Sequence, residues 1–149
     1  VARKPETIYG QNLMTTLVVD TNIIFSALVN KNSNITSYLL QPNHLLIMPK
    51  FAFVELFKHK EKICTISKYT QEEILELLYQ LLRQIEFFDE NVLSKDALQT
   101  AWQLVKDIDP KDMLFVALTL EVNGLLWTGD TKLRNGLKAK GFDAFFRLN

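Results

Sequence analysis

Four carboxylates in this chain stand where carboxylates are expensive. Asp20 ends the apolar run Leu17-Val18-Val19, and Glu55 interrupts Phe51-Ala52-Phe53-Val54-Glu55-Leu56-Phe57. Asp112 closes Asp109-Pro110-Lys111-Asp112, just before a nearly all-apolar segment from Met113 to Leu120, and Asp130 follows Leu125-Leu126-Trp127-Thr128-Gly129. An unpaired charge beside a core is costly. A shared divalent cation is the one cause that would account for all four, and it points to phosphate chemistry on a nucleic acid. Mg²⁺ and Mn²⁺ are hard ions that take oxygen ligands, and such an ion orients and ionises a water while offsetting charge on the phosphate under attack. Histidine and cysteine ligands are not required, and the two histidines, His44 and His59, lie outside the acidic set. Should the acids converge without metal, two carboxylates ~5 Å apart would repel by roughly 3 kcal/mol at an effective dielectric of about 20. Several such pairs would consume much of a domain stability of about 5–15 kcal/mol.

Taken singly, each acid has a plainer role. Asp20 would cap the following helix, Glu55 would turn to solvent, Asp112 would favour a helix dipole in a first turn, Asp109 would be a cap, and Asp130 would be a turn residue after Gly129. The weight lies in their joint order along the chain.

The elements that must position these residues read as alternating strands and helices. Residues 16–19, 45–48, 85–88 and 125–128 are short uncharged or nearly apolar runs typical of buried strands, and 144–148 is a candidate fifth. Asp20-Thr21-Asn22 supplies turn or capping residues before the apolar segment 23–29, and 36–40 reads as a short helix ended before Pro42. Pro49 suits the first turn of a helix running through Glu55 to about Lys62. Thr70-Gln71-Glu72-Glu73 has the form of a capping box. Behind it Ile74, Leu75, Leu77, Leu78, Leu81, Leu82 and Ile85 recur at helical spacing. Ser94 caps the next helix, with Ala97, Leu98, Ala101, Trp102, Val105 and Ile108 as its inner face. Asp109-Pro110 restarts the chain into a helix apolar nearly all round and therefore buried, which Gly124 ends. Residues 131–140 form a basic amphipathic helix stopped by Gly141.

Strands without a polar face, alternating with helices, predict a parallel sheet covered on both sides. Ligands of such sheets bind beyond the carboxyl ends of the strands, where Asp20 and Asp130 each fall. The chain has 149 residues, enough for one domain with a core. Residues 14–149 read as that domain, and the polar stretch 1–13, which starts at Val1 and lacks an apolar signal core, reads as a loose leader or an appended remnant. The longest apolar stretches are too short to span a bilayer. The single cysteine, Cys64, excludes an internal disulfide and fits a reducing compartment, the cytoplasm. Net charge is zero, which counts against a uniformly basic nucleic-acid binder, although Lys58, His59, Lys60 and Lys62 cluster, as do Lys132, Arg134, Lys138 and Lys140. Lys111, Lys132 and Arg134 lie near the acidic motifs in sequence and are candidate RNA-backbone contacts; exposed solubilising charge is their plainer reading.

In its four acidic motifs, from Val18-Val19-Asp20-Thr21-Asn22 through Val54-Glu55-Leu56 and Asp109-Pro110-Lys111-Asp112 to Thr128-Gly129-Asp130, the chain resembles the PIN-domain family of metal-dependent nucleases over roughly Thr16 to Leu148. The resemblance implies a Rossmann-like three-layer α/β/α sandwich around a central, mostly parallel sheet of about four or five strands. It also implies Mg²⁺- or Mn²⁺-dependent endonucleolytic cleavage of single-stranded RNA, often as the toxin of a VapBC-type toxin–antitoxin pair, with an antitoxin protein or a second copy of the chain as partner. Carried over, Asp20, Glu55, Asp112 and Asp130 are the catalytic, metal-binding set. Asn22 and Thr128 support it by hydrogen bonds, and Asp109 assists or merely caps. Two rivals stand beside this reading. An α/β phosphatase of the haloacid dehalogenase type also begins with an Asp after a strand, but needs a second acid two residues on, where this chain has Asn22. A non-catalytic RNA- or protein-binding domain would keep the acids only as a weak metal site.

Overall fold

The computed structural model describes residues 14–148, so the expectation for residues 1–13 lies outside it. The first strand, β1 (Thr16–Val19), is buried at every position, and a strand without a polar face needs neighbours on both edges and layers on both faces. It has them. β2 (Leu45–Pro49) pairs in parallel with one edge and β4 (Leu125–Trp127) with the other, while β3 (Ile85–Phe88) pairs in parallel with β2. The strand order is β3-β2-β1-β4. Val18 stands opposite Ile47 on one side and Leu126 on the other. The order changes direction between β1 and β4, which is where open α/β sheets leave a crevice at their carboxyl ends.

Among the described residues, eight α-helices cover the sheet. On one side lie α1 (Thr21–Val29), α2 (Asn34–Leu40), α3 (Phe51–Lys58), α4 (Lys60–Ile66) and α5 (Gln71–Arg83), which pack on one another around α1. On the other lie α6 (Lys95–Val105), α7 (Met113–Val122) and α8 (Thr131–Ala139). α7 is the central helix of this second layer, wedged between α6 and the strands. Its residues Phe115, Val116, Ala117, Leu118, Thr119 and Val122 are all buried, as an all-round apolar helix requires. The capping box at Thr70 forms in full, with Glu73 N donating to Thr70 Oγ1 at 3.1 Å and Thr70 N donating to Glu73 Oε1 at 2.8 Å. The expected α/β/α sandwich is therefore present, and its four-stranded sheet is parallel throughout the described residues.

Several local expectations give way to packing. Pro49 ends β2 instead of opening a helix. It sits at the last rung opposite Phe88, and the next residue, Lys50, donates its N–H to Phe88 O at 3.0 Å, so no ladder bond is lost to the ring nitrogen. The helix expected to run to about Lys62 breaks at His59 into α3 and α4, with the His59 ring edge-on to Phe25 at 5.3 Å. α6 buries the narrow stripe Ala97, Ala101 and Val105, while Trp102, one position round the helix, is exposed. Leu75 is likewise 61% exposed on α5, outside the face that buries Ile74 and Leu81.

Helix α7 is closed by Asn123 in the left-handed conformation, φ 53°. Gly124 serves a different purpose. A Cβ there would lie 2.5 Å from the Thr16 carbonyl oxygen, so the glycine lets the chain pass close to β1. The candidate fifth strand reduces to one parallel bridge, Leu126 with Phe145, closed by Leu126 N donating to Ala144 O at 2.8 Å and Phe146 N donating to Leu126 O at 2.9 Å.

Candidate active site

The carboxyl end of β1 places Asp20 at the crevice, 7% exposed. As N-cap of α1 its Oδ1 accepts from Asn22 N at 3.3 Å, and its Oδ2 accepts the Thr128 hydroxyl at 2.7 Å. One side chain thus both caps α1 and bonds across the crevice to Thr128. Thr128 follows β4 directly, so this bond, together with Asp20 N donating to Trp127 O at 2.9 Å, ties the ends of the two strands flanking the crevice. The same hydroxyl accepts Asp130 N at 3.1 Å, and Asn22 Oδ1 accepts Gly129 N at 3.3 Å. The side chains of Asn22 and Thr128 therefore order the Thr128–Asp130 turn. The carboxamide of Asn22 is committed to this backbone contact and supplies no second acid of the phosphatase kind.

The other acids approach from separate elements. Glu55, on α3, accepts the Thr21 hydroxyl at 2.6 Å through Oε1. Asp130 caps α8, with Leu133 N donating to Oδ1 at 3.0 Å. Asp109 caps the short 3₁₀ turn Pro110–Asp112 by accepting Lys111 N at 3.0 Å. Pro110 opens that turn, and Asp112 ends it at the mouth of α7, with no capping hydrogen bond of its own. Asp112 Oδ2 is buried and has no hydrogen-bond partner, alone in this among the side-chain atoms of the described residues.

The electrostatics join these residues. Burial is the main force raising Asp112 from the ordinary carboxyl range to about 7, and the charges of Asp20, Asp109, Asp130 and Glu55 all add to it. Burial also raises Asp20, with Glu55 and Asp130 pushing the same way against the hydrogen bonds from Thr128 and Asn22. None of the four acids is paired with a lysine or arginine: the ion pairs among the described residues join Lys31 to Glu73, Lys138 to Asp143 and Lys140 to Asp107. The acids thus share one field, but they do not form a finished coordination shell. Among the described residues no three acidic, histidine or cysteine side chains are gathered as a metal site. Their chemistry nonetheless suits a hard cation. All donors are oxygens, Asp112 holds one without a partner, and Glu55 and Asp130 each spend only one oxygen inside the protein.

The cationic candidates separate. Arg134 Nη1 donates to the Thr128 carbonyl at 2.9 Å, which holds it beside the turn. Lys111 and Lys132 are exposed, while Lys138 and Lys140 are engaged with Asp143 and Asp107 away from the acids. Next to the Thr128–Gly129 turn lies a cleft of about 300 Å³ that also touches Trp127, Arg134, Phe146 and Arg147. Phe146 and Arg147 carried no local signal, because the chain end that bears them reads only as a strand.

Comparison with known proteins bears on the fold and the family. The structure is similar to a chain of VapBC2 from Rickettsia felis, solved bound to a DNA fragment from its promoter: 20% identity, TM-score 0.59, over 80% of this chain and 92% of that one. It is also similar to PAE2754 from Pyrobaculum aerophilum: 13% identity, TM-score 0.57, over 91% of this chain and 90% of that one. At such identities the likeness is one of fold. A search of curated proteins returns no match. The sequence model of the PIN domain, however, matches residues 18–145, a span that holds all four acids, and the chain belongs to the PIN-domain family.

Proposed function

We propose that this protein is a divalent-metal-dependent endoribonuclease that hydrolyses phosphodiester bonds of single-stranded RNA. The observation that carries the reading is the pair Asp20 and Asp112. Both are carboxyls held above their ordinary range at the crevice, one fixed by Thr128 and the other with a buried oxygen that nothing in the protein satisfies. Structural carboxylates of this kind are normally neutralised by a base; here each is repelled by further acids. Asp20, Glu55, Asp112 and Asp130 would hold Mg²⁺ or Mn²⁺. When bound, the cation would supply a nucleophile ionised near neutral pH and offset charge on the phosphate. Thr128 and Asn22 fix Asp20 and the Thr128–Asp130 turn, so that one side of the site is rigid. Glu55 and Asp130 each keep a carboxylate oxygen free to serve as a ligand. Arg134, Lys111 and Lys132 bind the RNA backbone, and such binding weakens steeply with salt.

The similar Rickettsia felis structure is that of VapBC2 bound to promoter DNA. This similarity supports a toxin role for the present chain, held in check by an antitoxin protein. Among the described residues no helix is long and apolar enough to cross a membrane.

The test is a titration of Mn²⁺ by calorimetry against the wild type and Asp20→Asn, with cleavage of single-stranded RNA measured in parallel. Wild type should bind the ion and cut, and the variant should lose both. Unchanged cleavage by a rigorously purified Asp20→Asn protein would refute the assignment. Turnover of small phosphomonoesters without RNA cleavage would favour a phosphatase instead.

A further inference from the structure

The cleft beside the Thr128–Gly129 turn contains none of the four acids, yet it is built from parts that suit a nucleotide. Its lining includes the apolar Ile23, Trp127, Phe146 and Leu148 and two arginines, Arg134 and Arg147. Its volume, about 300 Å³, lies at the small end for ligand sites. Arg134 is anchored by one nitrogen to the Thr128 carbonyl, which leaves most of its five donors for a ligand. Arg147 is exposed and pairs with no acid among the described residues.

Phe146 is held in place. Its N–H donates to Leu126 O at 2.9 Å, and its ring meets Trp127 at 5.2 Å, Tyr38 at 5.6 Å and His44 at 5.1 Å between centroids. An aromatic ring fixed on three sides and still only partly buried is a preformed surface for a base. The single Leu126–Phe145 bridge explains its position. A continued strand would keep Arg147 and Leu148 paired along β4, whereas here the pairing stops at Phe146 and residues 146–148 line the cleft.

We propose that this cleft is a nucleobase subsite of the RNA-binding surface, in which one unstacked base lies against Phe146 and the adjoining phosphate is held between Arg134 and Arg147. The proposal rests on the nuclease reading and specifies how the strand is seated beside the acids. Two arginines are needed there because a phosphate approaching four carboxylates is otherwise repelled. A base that must leave its stack to enter favours single strands over duplexes.

Trp127 lines the cleft and Trp102 stands exposed on α6, so Trp102→Phe leaves one tryptophan as a local reporter. In that background, with EDTA present, nucleoside 5′-monophosphates should quench the fluorescence saturably. Ribose 5-phosphate should bind about tenfold or more weakly, the scale of one base–aromatic stack. Arg147→Ala should weaken nucleotide binding about tenfold, the scale of a charge-assisted hydrogen bond, and lower the salt slope of RNA binding by about 0.7. Phe146→Leu retains an apolar side chain in the packed position and should still lose the preference for nucleotide over ribose 5-phosphate.

Absence of saturable quenching, equal binding of ribose 5-phosphate, or indifference to Arg147→Ala would overturn the subsite. Asp112→Asn, assayed alongside, separates the two proposals. Loss of RNA cleavage in Asp112→Asn without nucleotide binding at the cleft removes the subsite alone. Nucleotide binding with cleavage untouched by Asp112→Asn removes the nuclease reading alone.

Discussion

Asp20 and Thr128 form a direct side-chain bond across the crevice, between residues 108 apart in sequence. Replacing Thr128 by Val keeps the shape and removes the hydroxyl, leaving a buried carboxylate oxygen short of a partner. The expected cost is about 1–3 kcal/mol of stability. RNA cleavage should fall by about 10–100-fold, as when the support of a metal ligand is lost. Chemical denaturation and initial rates measure the two effects. Asp112 makes the opposite kind of prediction. Unfolded, it gives up its proton near 3.8; folded, near 7. Between those values the unfolded chain binds fewer protons, so metal-free stability falls as pH rises from about 4 to about 7 and levels off above. Asp112→Asn should flatten that part of the profile and raise the metal-free melting temperature at pH 7.5 by about 2–4 °C. That corresponds to about 1 kcal/mol in a domain of this size, a modest figure because solvent screens a partly exposed group. A variant no more stable than wild type at pH 7.5 would show that Asp112 is not under strain.

Elements were legible in the sequence where local chemistry and tertiary packing ask for the same thing. β1 is apolar at the positions that face both layers, Thr70 and Glu73 close their box, and Asp109-Pro110 starts its turn as a cap and first-turn proline should. Legibility failed where packing overrides a local preference. No residue type announces the break at His59 or the exposure of Trp102 and Leu75. Gly124 illustrates the difference most sharply. As a helix stop it was recognisable, but the stop belongs to Asn123, and the glycine is required by a carbonyl on a strand more than a hundred residues away. The acids were legible in the sequence because three of them, Asp20, Asp112 and Asp130, follow or open an element and the fourth, Glu55, interrupts an apolar helix. The aromatic cleft was not, because Phe146 and Arg147 come from a segment with no pattern beyond a strand's. Gly124→Ala tests the close approach. With backbone, not a flexible side chain, in the way, β4 must shift from β1 at a cost of about 1–3 kcal/mol. Because β4 leads into Thr128, cleavage should fall together with stability. An alanine variant as stable as wild type would mean that the strands can separate at that end without consequence.

For the whole molecule, seventeen basic and seventeen acidic residues cancel, so under the proposed function attraction of RNA must come from where charges lie and not from their sum. On the proposed reading the four acids oppose a polyanion until a cation offsets them, and the same repulsion lowers the stability of the metal-free fold. Binding and stability are therefore linked. A divalent ion that binds the folded chain alone stabilises it by about 2.7 kcal/mol at a concentration one hundred times its dissociation constant. That equals an increase in melting temperature of about 5–10 °C for a domain of this size. Mn²⁺ should produce such a rise in the wild type, increasing with the logarithm of its concentration. Asp112→Asn should start from a higher metal-free melting temperature, while Asp20→Asn gives up the acceptor for Thr128 and should not; both should respond much less to Mn²⁺, since on the proposed reading each removes a ligand. The contrast between starting point and response distinguishes a metal site from general screening, which would raise all three proteins alike and would be reproduced by sodium chloride at equal ionic strength. A wild type indifferent to Mn²⁺, or variants that respond as strongly as the wild type, would leave the carboxylates as caps that happen to lie near one another.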